Sequence, residues 1–234
     1  MGKEINVLSI DFDFFQKVTS DTLLRYYPDG LDLPTVLTEI TWSRRYDIPD
    51  NGEALRKVEV DLGLLRDVKI LVNLNRKRGC KLMITNSHKH AYNFIGNEIQ
   101  YKEYESLHIY NLDLHHDYFN NCSEVDCGNW LGHAVKDFPN CTATWVMNPV
   151  SLDESLVDPL DVKTELKELH KVKTLRTLKN KKFDLIFLCR SDSWTPLHLD
   201  EEFKNLFNYC LTCVGTGTVE NGVREPRKYV RLGR

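Results

Sequence analysis

Apolar residues fall along this chain in two rhythms. Short β-branched and aromatic runs, 5–10 (INVLSI), 81–85 (KLMIT), 107–112 (LHIYNL), 143–147 (ATWVM) and 183–188 (FDLIFL), have the length of buried strands. Between them apolar residues recur at helical spacing. One set is Leu64, Leu65, Val68, Leu71 and Val72; another is Leu166, Leu169, Val172, Leu175 and Leu178; a third is Phe203, Leu206, Phe207 and Cys210. A shorter helix is expected over 131–135. Strands separated by helices predict an α/β fold, a doubly wound and mainly parallel sheet with helices on both faces.

The 234 residues fit one domain, expected over 1–214. Residues 20–58 interrupt the pattern with Pro28, Asp29-Gly30, Pro34, Pro49 and Asn51-Gly52, and read as an irregular insertion or lid. Residues 215–234 carry five basic side chains and read as a loosely ordered tail.

Composition narrows the function. A net charge of −3 and a pI near 6.2 argue against bulk attraction to nucleic acid or anionic membranes. No apolar run reaches the ~18 residues that span a bilayer, so a soluble chain is expected. The seven cysteines are scattered, and Cys210-x-x-Cys213 has no second pair behind it. With no charged-then-apolar leader, the expected compartment is the reducing cytoplasm.

The chemistry gathers at three strand ends. The first run ends Asp11-Phe12-Asp13, the second Thr85-Asn86-Ser87-His88-Lys89-His90, and the third Asp113-Leu114-His115-His116-Asp117. In a parallel sheet all carboxyl ends share one edge. Side chains two apart on extended backbone point the same way, so Asp11 and Asp13 can face one point, as can Asp113, His115 and Asp117. Taken singly, each cluster has an ordinary reading as a turn, a helix cap or a surface histidine. Four carboxylates left together would repel, and cations relieve that. Carboxylates with one or two imidazoles suit Mn²⁺ or a similar hard-to-borderline ion. Downstream, Asp126-Cys127-Gly128-Asn129-Trp130 opens the helix that carries His133. Asp192 and Trp194 follow the strand 183–188. Asn129, Trp130, Asp126 and Asp192 are the substrate-side candidates; caps, turns and core packing are their alternatives.

The motif Asp113-x-His115-x-Asp117 resembles the metal-binding segment of the arginase–agmatinase (ureohydrolase) superfamily. Leu8–Asp13 is similar to that superfamily's second aspartate pair, and His88 to its remaining histidine ligand. The set LSIDFDFF, TNSHKHAYNFI, NLDLHHD and CGNWLGHA looks closest to an arginase-like family that includes the peptide arginases, which make ornithine in ribosomal peptides. Here Asp-x-Asp comes first rather than last, as in a circularly permuted sheet. The resemblance implies two Mn²⁺ ions per chain. Asp113 and Asp11 would bridge them, with His88 and Asp117 on one ion and His115 and Asp13 on the other. It implies hydrolysis of arginine side chains in a precursor peptide to ornithine and urea. Asp117 would relay a proton, with His133 or His116 as shuttle. A guanidinium needs a carboxylate partner, for which Asp192, Asp126 and Glu220 are open candidates. Oligomeric state is not expected from the sequence.

Two rivals differ in class. A haloacid-dehalogenase-type Mg²⁺ phosphatase would use Asp11 as nucleophile and Asp13 as general acid. Phe14-Phe15 stands against it, and His88 and His115 would have no role. A non-catalytic metal-binding module would hold Ca²⁺ at the acidic edge. A deacetylase-like zinc enzyme would need fewer carboxylates.

Overall fold

A computed structural model describes residues 3–27, 32–119, 123–152, 169–215 and 217–231. Its centre is a seven-stranded sheet in which every pairing is parallel. The strands are β1 (Glu4–Asp11), β4 (Arg76–Thr85), β5 (Ser106–Asp113), β6 (Cys141–Met147), β7 (His170–Val172), β8 (Phe183–Cys189) and β9 (Gly217–Val219). Their order is β7-β6-β5-β1-β8-β4-β9. A separate antiparallel pair joins β2 (Gln16–Lys17) to β3 (Glu59–Val60).

The order follows from the windings. From β1 the chain passes to β4 on one side, returns to β5 on the other, and later inserts β8 between β1 and β4. The direction of winding therefore reverses around β1, and the crevice of such a sheet opens at the carboxyl ends there.

Both sheet faces are buried, as an all-parallel sheet requires. Even-numbered Leu8, Ile10, Tyr110, Leu112, Ile186 and Leu188 face one core. That core is closed by α4 (Leu62–Asn75) and α7 (Asp200–Val214). Odd-numbered Ile5, Val7, Leu107, Ile109, Leu185 and Phe187 face the other, under α5 (His90–Ile99) and α6 (Trp130–Asp137). The period of two in each strand thus decides which core a residue joins. The α/β class, the five strand runs and the helices around 64–72, 131–135 and 203–210 stand where the sequence places them. Among the described residues no helix is long and apolar enough to cross a membrane.

Three expectations are corrected. Residues 20–58 are not irregular but helical, with α1 (Ser20–Tyr26), α2 (Thr35–Asp47) and α3 (Pro49–Arg56). The prolines read as loop signals flank helix starts instead: Pro34 is the residue before α2, and Pro49 opens α3. Gly52 lies inside α3 because a Cβ there would sit 2.4 Å from the Tyr46 carbonyl oxygen. Pro28, Asp29 and Gly30 lie outside the described residues. The helix expected over Leu166, Leu169, Val172, Leu175 and Leu178 is replaced, where described, by β7 and a 3₁₀ turn at Leu175–Leu178. Leu166 lies outside the described residues. The tail is not loose over 217–231: β9 extends the sheet, and Arg227 is buried at 6% exposure with its guanidinium on Asp200.

Candidate metal centre

Ser9 lies opposite Asn111 where β1 pairs with β5. Two residues on, pointing to the same face, Asp11 and Asp113 end the two strands. The loop after β4 delivers His88 to the same point. Its Nδ1 sits 3.1 Å from Asp11 Oδ2, 3.1 Å from Asp113 Oδ2 and 2.9 Å from Asp117 Oδ2. Its Nε2 meets Ser9 Oγ at 2.7 Å, and its ring stacks on Phe187 at 5.7 Å. Trp130 Nε1 donates to Asp117 Oδ2 at 2.7 Å, and Asn111 Nδ2 to Asp113 Oδ2 at 3.1 Å.

A second group adjoins the first. The chain turns through a 3₁₀ segment after β1 and brings Asp13 Oδ2 to 3.1 Å from His115 Nδ1. Asp13 Oδ1 accepts Leu114 N–H at 3.2 Å, and Asp113 Oδ1 accepts His115 N–H at 2.8 Å. Two groups able to hold a metal ion result, Asp11–His88–Asp113 and Asp13–Asp113–His115. Asp113 belongs to both. Asp11, which the family resemblance makes a second bridge, lies in the His88 group, with Asp117 beside it.

The donors fit a cation. His88 Nδ1 and Asp13 Oδ2 are buried without a hydrogen-bond partner, although carboxylate or imidazole atoms lie about 3 Å away. Leaving such atoms unpaired in a dry site costs about 1–3 kcal/mol each, more where the group is charged. A positive ion among them removes that cost. Without one, the cluster holds protons. Burial, then Asp13, raises Asp11; burial, then Asp113, lifts Asp13 to about 6; burial, then Asp117 and Asp11, lifts Asp113 to about 8. Burial opposes charge on the histidines, but the carboxylates prevail. His88 rises well above its ordinary value, and His115 rises to about 9.

The groups open onto a cavity of about 470 Å³. Asp11, His115 and Asp117 form its floor, Asp32 and Asp126 add two acids, and Phe119 and Trp194 are aromatic walls. Trp194 packs on His115 at 4.4 Å between ring centroids. No lysine or arginine lines it among the described residues. Of three non-glycine residues with left-handed φ among the described residues, Asp117 (51°) and Ser191 (59°) line the cavity, a strain of the kind that collects at functional sites. Cys127 is there too, its thiol raised by burial and by Asp32, which keeps it protonated and a poor nucleophile.

The remaining candidates have other partners. Asp192 is forked by Arg190, at 2.5 and 3.0 Å, so it is already paired and not open to a guanidinium. Asn129 ties its loop together, accepting Asp126 N–H and donating to Glu124 O. Trp130 positions Asp117 and packs in the α5–α6 core. His116 accepts Tyr118 N–H, packs on Phe119 and Trp145, and is held near 4 by burial and His115. His133 faces Tyr92 and Asp137, where α6 meets α5. Glu220 accepts Asn86 N–H at 3.0 Å. Asp126 stays on the cavity wall, with Oδ1 on Gly128 N–H. Sequence reasoning passed over Asp32, Phe119, Ser9 and Asn111. The last two carry a signal, since Ser9-x-Asp11 and Asn111-x-Asp113 set a small polar residue beneath each aspartate on the same face.

The fold and the site together define an α/β protein with a buried aspartate–histidine centre at the carboxyl edge of its sheet. Comparisons with protein-family models, with curated proteins and with solved structures find no match.

Proposed function

We propose that the chain is a binuclear metal-dependent amidinohydrolase. It holds two Mn²⁺ ions and converts arginine side chains of a peptide to ornithine with release of urea. One observation carries this reading: two three-residue donor groups share a single carboxylate, Asp113, and leave buried donor atoms unpartnered between them. The oxygen-rich set, with one imidazole in each group, suits Mn²⁺. The motif resemblance supplies the reaction class.

When bound, the ions would supply Lewis acidity and activated water near neutral pH. The chain's own residues do the rest. Asp126 offers a carboxylate on the cavity wall to a guanidinium, and Phe119 and Trp194 offer it aromatic faces, whereas Asp32 is already paired with Lys89 Nζ at 2.8 Å. Water adds its oxygen to the guanidinium carbon, the bond to the side-chain nitrogen breaks, and both protons of the water end on that nitrogen, which leaves as the ornithine ammonium while the rest is released as urea. Asp117, which lines the cavity and is oriented by Trp130, is the carboxylate placed to move these protons, whereas His116 and His133 are not among the cavity's lining residues.

The acidic lining opposes the phosphatase reading, because a phosphate ester would enter among four aspartates, and Lys89 beside the cavity is already taken up by Asp32 at 2.8 Å. Asp13, its general acid, is fully buried and bonded to Leu114 N–H. Elemental mass spectrometry of Mn²⁺-loaded protein, with His115→Ala beside it, and a urea assay on an arginine peptide test the proposal. Two manganese per chain, fewer in the variant, and urea release are expected. Two manganese without urea sink the reaction, and no bound metal sinks the site.

A further inference from the structure

The wall that carries Trp194 is fixed from an unexpected direction. Two buried arginines reach across each other between the loop after β8 and the C-terminal segment. Arg190, fully buried, forks Asp192 in its own loop and donates to Glu225 O at 2.8 Å and Gly222 O at 3.3 Å in the segment. Arg227 does the reverse. Its Nε and Nη2 fork Asp200 at 2.9 and 2.6 Å, while Nη1 reaches Asp192 O and Nη2 reaches Thr195 O in the loop. With Val223 O, which Arg190 Nη1 meets at 3.5 Å, five carbonyls of two irregular segments are thus held by two planar, always charged groups, a geometry lysine does not reproduce.

The same loop is held from two further sides. Trp42 Nε1 in α2 donates to Asp192 O at 2.9 Å, and Gln16 Nε2 donates to Trp194 O at 2.8 Å. Beyond Arg227 the segment crosses to α2, where Lys228 N–H meets Glu39 and Val230 N–H meets Ser43 Oγ, each at 2.8 Å. It therefore ties the loop that bears Trp194 to helix α2. Trp194 in turn lies on His115, the one donor of the Asp13–Asp113–His115 group that is a third exposed. His88 is walled instead by Phe187 and Trp130.

We propose that Arg227 is a positioning residue for the His115 metal group, acting through the loop 190–195 to hold Trp194 against the imidazole. The inference rests on the proposed metal site. An outer contact that orients a ligand is worth about 10-fold in metal affinity or more. The braced loop also meets the His88 loop, through Asp192 N–H on Asn86 O at 3.0 Å and Arg190 N–H on Thr85 O at 2.9 Å, but only Trp194 puts a side chain of that loop on an imidazole, so the larger effect falls on the His115 group, which a general loss of stability does not favour.

Equilibrium dialysis of Mn²⁺ against the full-length chain reads this out in two backgrounds. His88→Ala leaves only the His115 group to fill, and His115→Ala leaves only the His88 group. Arg227→Lys should weaken Mn²⁺ about 10-fold in the first background and clearly less in the second. Equal loss in both, or no loss in either, overturns the proposal. Trp194→Ala leaves every buried ion pair in place and is expected to give the same unequal loss, so it decides the matter if Arg227→Lys does not fold. Uniform or absent loss there overturns it equally. A wild-type chain that takes up no Mn²⁺ overturns the metal reading, and this inference with it.

Discussion

Removing metal should leave a protein whose stability falls as pH rises from about 5 to 9, and the cluster supplies the magnitude. Asp13 titrates at about 6 in the folded chain against 3.8 ordinarily. Ionising it there costs about 3 kcal/mol more than in the unfolded chain. A carboxyl with a raised pKa contributes stability that is complete below 3.8 and lost as pH passes its folded value, near 6 for Asp13 and near 8 for Asp113. His115, raised to about 9, contributes fully below 6.5 and loses that by 9. All three slopes have the same sign. Mn²⁺ must displace these protons, so its stabilising effect grows over the same interval. At an ion concentration of 100 Kd, one site adds about 2.7 kcal/mol, or about 5–11 °C in melting temperature for a chain of this size. Circular-dichroism melts of chelator-treated protein at about pH 4.5, about pH 6 and about pH 8.5, with and without Mn²⁺, measure both effects, the first step covering Asp13 and the second Asp113 and His115. Apo stability that is flat or rising over that interval, or an equal Mn²⁺ shift at every pH value, would refute the reasoning.

Other expectations follow from single contacts. Asp113→Ala should abolish binding of both ions, whereas Asp13→Ala should keep one; elemental analysis of dialysed protein tells them apart. Trp130→Phe keeps an aromatic ring, though a smaller one, but loses the indole N–H to Asp117, so the His88 group should bind Mn²⁺ about 10-fold more weakly by calorimetry. Asp126→Asn removes one acid from the cavity wall and should raise KM for an arginine peptide up to about 10-fold with kcat little changed. A kcat loss alone would place Asp126 in the chemistry instead.

Much of this architecture could be read from the sequence because it rests on local period. Strand runs such as INVLSI and FDLIFL are buried on both faces, so they stay continuous in apolar character and announce themselves. Asp11, His88, Asp113 and His115 were legible because they follow those runs directly. What failed shows where local reasoning ends. The spacing of Leu166, Leu169, Val172, Leu175 and Leu178 is a strict period of three; on an α-helix that rotates by about 60° at each step and builds no single stripe. The period instead matches the 3₁₀ turn at Leu175–Leu178. Asp192 looked like a free carboxylate because its partners, Arg190 and Arg227, are two and thirty-five residues away, and only the nearer one is visible locally. Asp32 reaches the cavity through Ser87 Oγ and Lys89 Nζ, contacts that no spacing rule reports.

The crossed arginines also set the order in which the molecule is completed. Synthesis proceeds from the N-terminus, and domains fold as their segments emerge. Asp11, His88, Asp113, His115 and Asp117 are all made before α6, and β8 comes well after them. Arg227 is made later still, beyond α7 and β9. A nascent chain thus carries every metal-type donor long before the residue that closes the wall beside His115. The carboxylates must wait, protonated or filled, while the rest of the sheet arrives, and the wall beside His115 is finished only once residues beyond β9 have been made.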